Sequence, residues 1–147
     1  MKLKIAWIGK TKEPAIQSLT DEYLKRLARY AETEGLSLKD EAAVLALARG
    51  ARSQPKHFLV ALDSRGKQLS SEELAQFLRE HQDRNPLPLL FAVGPPNGFS
   101  DETRGAASFT LSLGKMTLAH ELARVVLLEQ LYRAFTILKG HPYHLGH

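Results

Sequence analysis

The residues able to do chemistry in this chain gather in two places, the glycine-bearing ends of its apolar runs and its C-terminal quarter. Leu62-Asp63-Ser64-Arg65-Gly66, Gly94-Pro95-Pro96-Asn97-Gly98 and Leu113-Gly114-Lys115-Met116-Thr117-Leu118 each follow an apolar run. Glycine lets a backbone approach a ligand or turn tightly, and beside two prolines Gly94 and Gly98 admit both readings. None of the three segments carries Gly-x-Gly-x-x-Gly or a Gly-Lys-Ser/Thr phosphate loop, so the common dinucleotide and nucleoside-triphosphate sites are not favoured. Further on come Glu121, Arg124, Glu129 and Arg133, then His141-Pro142-Tyr143-His144-Leu145-Gly146-His147. Taken singly, these charges read as ion pairs: Arg124 with Glu121 or Glu129, and Glu129 with Arg133, four apart in the favourable order. Three histidines on a proline-broken tail, with no carboxylate nearby, make a poor metal set, and no metal is expected. Pro142 and Tyr143 are stiff and amphipathic, which suits a docked tail better than a frayed one.

The elements that must position these groups follow from pattern. Residues 3–8 read as a strand closed by Gly9. Pro14 opens a helix whose apolar residues (Ile16, Leu19, Tyr23, Leu24, Leu27, Tyr30) carry it to about Thr33, with Gly35 ending it. Residues 36–38 form a short strand, and Asp40 caps a helix running to Gly50. The continuous apolar runs 58–62 and 89–93 suit parallel strands covered on both faces. Between them Ser70 and Glu73 spell a capping box for a helix carrying Leu74, Phe77 and Leu78. A short helix from Ser100, a strand over 109–113 and a last helix over about 119–138 complete the chain. Strands alternate with helices five times, which predicts an α/β fold, a mostly parallel sheet with helices on both faces. The last helix is apolar nearly all round and must be buried on more than one side, in the core or against a second subunit.

At 147 residues the chain is expected to be one domain, 1–147, without a linker or an appended module. The absence of cysteine excludes disulfide scaffolds, thiolate metal sites and cysteine nucleophiles. No apolar run approaches a membrane span and the start lacks a signal-peptide pattern, so a soluble cytoplasmic protein with no membrane partner is expected. The net charge of +4 is uneven: residues 1–56 hold 11 basic and 7 acidic groups, residues 57–108 hold 5 and 7, and residues 109–147 hold 4 and 2. Two basic ends allow a polyanionic partner, although a plainly solvated surface accounts for charge of this size as well.

Read together, the run 111–124 (Leu-Ser-Leu-Gly-Lys-Met-Thr-Leu-Ala-His-Glu-Leu-Ala-Arg), Glu129-Gln130-Leu131-Tyr132-Arg133-Ala134-Phe135 and His141-Pro142-Tyr143-His144 resemble the RlmH family of SPOUT methyltransferases. The resemblance spans the chain, is strongest after residue 58, and includes the opening Lys-Leu-Lys-Ile-Ala-Trp-Ile-Gly-Lys. It implies a homodimer whose C-terminal part, roughly 86–147, forms a deep trefoil knot. It also implies S-adenosylmethionine as cofactor, bound to the backbone of three loops, here Leu62, Gly94, and Leu113, Gly114, Lys115, Met116, Thr117 and Leu118. The implied reaction is methylation of N3 of a pseudouridine in large-subunit (23S) ribosomal RNA, with the ribosome as partner. Another RNA target, or a non-catalytic RNA- or ribosome-binding module, are the alternatives.

For such chemistry the resemblance points to three catalytic residues. Arg133 would hold a phosphate or stabilise developing negative charge, and His144 would accept the N3 proton, since imidazole ordinarily titrates near neutrality. Tyr143 would stack on or hydrogen-bond the base. His120 would serve structure at the start of the last helix. Several positions depart from the family pattern. Pro95 stands where a second glycine is usual and removes a backbone donor, Gly114 replaces a frequent serine, and Ala119 a frequent proline. A Lys or Arg often follows the tail histidine, where this chain has Leu145-Gly146-His147. The segment between Leu38 and Phe58 is short, and Arg49, Arg52 and Lys56 are its candidates for phosphate contacts.

Overall fold

The computed structural model describes residues 1–145. Gly146 and His147, the end of the predicted knot region and the third tail histidine, lie outside the described residues. In chain order the elements are β1 (Lys2–Ile8), α1 (Pro14–Leu27), β2 (Glu32–Leu38), α2 (Glu41–Arg49), β3 (Phe58–Gln68), α3 (Ser71–Arg84), β4 (Leu89–Val93), α4 (Asp101–Ala106), β5 (Phe109–Ser112) and α5 (His120–Leu138). The strands form one sheet, ordered β2-β1-β4-β3-β5, and every pairing is parallel. The α/β expectation holds.

Both faces of the sheet are covered, and β4 shows why a continuous apolar run was needed. Leu89, Phe91 and Val93 join the core beneath α1, α3 and α5, with Leu27, Leu78, Leu127, Leu128 and Leu131. Leu90 and Ala92 face the other way, toward Val44 and Ala48 of α2 and Phe99. Successive side chains of a strand alternate between faces, so a strand buried on both has no polar position. Val125, Leu127, Leu128, Leu131, Ala134 and Phe135 of α5 are buried, as a helix packed on several sides requires.

The local signals mostly landed. Asp40 Oδ1 accepts from the Ala43 amide at 2.9 Å, and Ser70 and Glu73 form both arms of the capping box. Several boundaries differ from the pattern. The first helix stops at Leu27 instead of about Thr33, and Gly35 sits inside β2, paired with Ile5, instead of ending a helix. The helical spacing ran on through Tyr30, but parallel pairing with β1 captured the following residues. A Cβ at Gly35 would lie 2.6 Å from Leu24 Cδ1 and 3.0 Å from the Trp7 ring, so glycine is there for close approach of helix and strand. β3 likewise runs on past the apolar residues 58–62, to Gln68. Its register with β5 breaks between Leu62 and Lys67 and resumes at Lys67 and Gln68. At the break Gly66 lies against the Thr110 backbone, where a Cβ would be 2.6 Å away.

Candidate active site

Residues 62–65 of β3, where its register with β5 breaks, and the loops after β4 and β5 converge on one cleft of about 460 Å³, within the roughly 300–1,000 Å³ usual for small-molecule sites. Leu62 and Asp63 come from β3, Gly94 to Gly98 from the loop after β4, and Leu113, Gly114, Met116, Thr117 and Leu118 from the loop after β5. Seven of the eight expected cofactor residues therefore line it. Lys115 does not. It is exposed beside them. His120 and Ala123 complete the wall, so His120 faces the cleft as well as opening α5.

The loops are shaped for a backbone-lined site. The Gly98 amide donates to the Pro95 carbonyl at 2.8 Å, closing a tight turn with Gly98 at φ 80°. Pro95 thus contributes an acceptor to the turn, though it offers a ligand no N–H. Gly114 has φ 138° and open space where a Cβ would be, and Ser112 Oγ bonds both its amide and its carbonyl. Leu62, Leu111, Leu113 and Leu118 supply apolar surface. Glycines, apolar surface and backbone groups in one cleft of this size fit a nucleoside-bearing cofactor such as S-adenosylmethionine.

Asp63 is a site residue that the sequence reading left unassigned. Its carboxylate is buried, receives Arg65 Nε and Nη2 at 2.9 and 3.0 Å, and lies 3.7 Å from Arg104 Nη1. The Arg65 side-chain bond, working against burial and helped by the Arg65 amide and both guanidinium charges, holds the carboxyl below its ordinary range. The signal was present in the sequence as an acid directly following the apolar run 58–62.

The start of α5 grips the loop after β1. Arg124, expected to pair with Glu121 or Glu129, pairs with neither. It is 1% exposed, stacks 4.2 Å above the Trp7 ring, and donates through Nη1 to Thr11 Oγ1 (2.8 Å) and Thr20 Oγ1 (3.3 Å). Burial lowers its tendency to hold a proton, partly offset by the charge of Glu121. Glu121 instead accepts from the amides of Lys12 and Glu13. This covers amides at the α1 N-terminus, which has no side-chain cap of its own.

Arg133, Tyr143 and His144 come together, but not in the cleft. Glu129 is their hub: its Oε2 accepts from Arg133 Nη2 at 2.9 Å and from Tyr143 OH at 2.7 Å. Arg133 Nη1 donates to His144 Nδ1 at 2.9 Å, and His144 Nε2 meets Glu72 Oε1 at 2.8 Å. A guanidinium only donates, so Nδ1 accepts and the imidazole proton sits on Nε2, facing Glu72. Burial first, then the bonds to Glu129 and Tyr23, raise the Tyr143 phenol. The tail is docked: Tyr143 meets Tyr132 at 4.8 Å, and His141 Nδ1 bonds Tyr30 OH at 2.6 Å. The Glu129–Arg133 pair was read correctly from its spacing, whereas Glu72 was not singled out. Arg49 is exposed and meets Glu102 at 3.4 Å. Among the described residues no group of three or more His, Cys, Asp or Glu could hold a metal, and no helix is long and apolar enough to cross a membrane.

A parallel sheet with a glycine-rich cleft at its carboxyl edge defines a class of nucleotide-cofactor-binding α/β proteins, and solved structures share the architecture. A probable methylase family protein from Haemophilus influenzae superposes with a TM-score of 0.60 at 11% identity, covering 96% of this chain and 69% of that one. The SpoU methyltransferase AviRb from Streptomyces viridochromogenes, solved in complex with the cofactor AdoMet, gives 0.53 at 14% identity, covering 95% and 59%. The family model described as "Predicted SPOUT methyltransferase" matches residues 1–144. Relatives named ribosomal RNA large subunit methyltransferase H are 61% identical in Koribacter versatilis, covering all of both chains, and 45% identical in Geotalea daltonii, covering 98% and 99%. The chain belongs to the SPOUT methyltransferase family, as its motifs implied.

Proposed function

We propose that this protein transfers a methyl group from S-adenosylmethionine to N3 of a pseudouridine in large-subunit ribosomal RNA on the assembled ribosome, in the cytoplasm. The observation that carries the reading is the convergence of the irregular stretch 62–65 of β3 and the loops after β4 and β5 on one cleft, in a chain similar throughout to ribosomal RNA methyltransferases. The cleft residues Leu62, Gly94, Leu113, Gly114, Met116, Thr117 and Leu118 hold the cofactor through backbone and apolar contacts. When bound, S-adenosylmethionine supplies an activated methyl group on a sulfonium, which needs no metal.

The remaining task is to free N3 of its proton and fix it in line with the methyl carbon. Arg133 stabilises negative charge on the base, Tyr143 holds the ring, and His144 takes the proton at Nδ1. That nitrogen is filled by Arg133 Nη1 in the closed network, so Arg133 must turn to the substrate as it enters. Glu129 keeps Arg133 and Tyr143 oriented, and Glu72 holds the His144 tautomer that leaves Nδ1 able to accept.

The reading includes a homodimer and a knotted C-terminal part within a single domain. Leu19 of α1 and Leu122 of α5 are 43% and 45% exposed, on helices that pack together, which supports a second copy on that face. The knot is supported by the route of the chain, from outer strand β5 through 113–119 into α5, packed against both α1 and α3.

The test is methyl transfer from labelled cofactor to ribosomes that carry or lack pseudouridines, with mass mapping of the product. A single added methyl on a pseudouridine is expected. Transfer to ribosomes lacking pseudouridine would point to another RNA target, and absence of cofactor binding by calorimetry would point to a non-catalytic module.

A further inference from the structure

The carboxyl edge of the sheet continues past the cleft. The strand order places β4, β3 and β5, which carry the cleft, next to β1, with β2 one strand further out. There the loop after β1 begins at Gly9, whose amide donates to the Leu38 carbonyl (2.8 Å) and whose carbonyl accepts from Ser37 Oγ (2.7 Å). The loop is thereby tied to the end of β2. It is tied a second time by α5, through Arg124 to Thr11 and through Glu121 to the amides of Lys12 and Glu13. The same first turns of α5 place His120 and Ala123 in the cleft wall.

Three exposed lysines stand on this clamped edge, Lys10 and Lys12 in the loop and Lys39 just after β2. Among the described residues none of their ammonium groups has a hydrogen bond or an ion pair. Glu121, packed against the loop, holds backbone amides, Asp40, next to Lys39, caps α2, and Glu13, next to Lys12, forms no ion pair with it. The backbone is therefore fixed while the cations remain free, next to the cleft that must receive a base. Ordinary surface lysines need no such double clamp. Cations held in place without a protein partner favour a polyanion, because each phosphate they neutralise releases a condensed counterion.

We propose that Lys10, Lys12 and Lys39 form a ledge that binds backbone phosphates of the RNA strand flanking the methylated nucleotide. The proposal rests on the reading of the cleft as a ribosomal RNA methyltransferase site. It assigns the ledge to positioning the strand, with no part in the chemical step.

The experiment compares wild type with Lys10→Gln/Lys12→Gln/Lys39→Gln, with the same three positions as Arg, and with Lys2→Gln/Lys25→Gln, which removes two exposed lysines from the opposite edge. Binding of S-adenosylhomocysteine by calorimetry verifies that each variant is folded, and KM for ribosomes is measured across a series of salt concentrations. Expected for the triple Gln variant are unchanged S-adenosylhomocysteine affinity and kcat, and KM raised about tenfold at low salt. Its slope of log KM against log salt should be shallower by about 2, with Arg restoring both. If wild type methylates ribosomes while the triple Gln variant keeps its KM and salt slope, or if the opposite-edge variant loses as much, the ledge is overturned alone. If wild type binds cofactor but methylates no ribosomal RNA, the functional reading falls and the ledge with it.

Discussion

Glu129 is the residue on which the C-terminal constellation depends. It hydrogen-bonds both Arg133 and Tyr143, and Arg133 in turn holds His144. Replacing it by Gln keeps the shape, removes the charge and turns an amide N–H₂ toward donors that the carboxylate now accepts from, Gln130, Arg133 or Tyr143. Glu129→Gln should therefore lower kcat about 10- to 100-fold while leaving S-adenosylhomocysteine affinity intact, and His144→Ala should cost about 100-fold or more. Single-turnover methyl transfer, paired with calorimetry, checks both. Asp63 carries a different expectation. Its folded-state pKa is depressed, so the ionised form stabilises the fold. That contribution is complete above the ordinary carboxylate value of about 4 and is lost as pH falls toward the lowered one. Melting temperature measured from pH 6 to pH 3 should fall more steeply for wild type than for Asp63→Asn. These residues differ in how far the sequence disclosed them. Glu129 and Arg133 were legible because helical spacing makes them neighbours. Arg124 was not, because its partners Trp7, Thr11 and Thr20 are brought to it by the packing of β1 and α1 against α5, which no local pattern encodes.

At the level of elements, the sequence disclosed the strands and helices that carry their own signals, such as the Ser70 capping box and the apolar run of β4. It misjudged boundaries where pairing overrode periodicity. Gly35 and Gly66 mark these places, and their surroundings predict different costs. A Cβ at Gly35 meets side chains, Leu24 and Trp7, and the nearest atom is the end of the flexible leucine. A Cβ at Gly66 meets the backbone of Thr110 and Leu111 within 2.8 Å, and those atoms belong to the paired strand β5. Gly35→Ala should destabilise by about 1–2 kcal/mol and Gly66→Ala by about 3 kcal/mol or more, a ranking that urea unfolding would test. Gly66→Ala should also weaken cofactor binding, since β5 leads straight into 113–118, whereas Gly35→Ala should leave it unchanged.

The whole molecule poses the question of how two separated groups of residues serve one reaction. Each chain builds its own cleft from Leu62, Gly94 and the loop after β5, yet Arg133, Tyr143 and His144 do not line it. A second copy can supply them, and an isologous dimer would do so twice. The half-exposed Leu122 next to the cleft wall and Leu19 on α1 give such a dimer an apolar face. Leu122→Lys should therefore yield monomers by light scattering that still bind S-adenosylhomocysteine and transfer almost no methyl. A complementation experiment separates this from a simple loss of fold. One chain carries His144→Ala with an intact cleft, and the other carries Gly94→Val, whose side chain would meet the Phe99 ring at the cleft, with an intact tail. Each homodimer should be inactive. If the tail serves the opposite chain, each mixed dimer regains one working site, so random pairing should restore about a quarter of wild-type sites. If each tail serves its own cleft, no combination contains both intact halves, and the mixture should stay inactive.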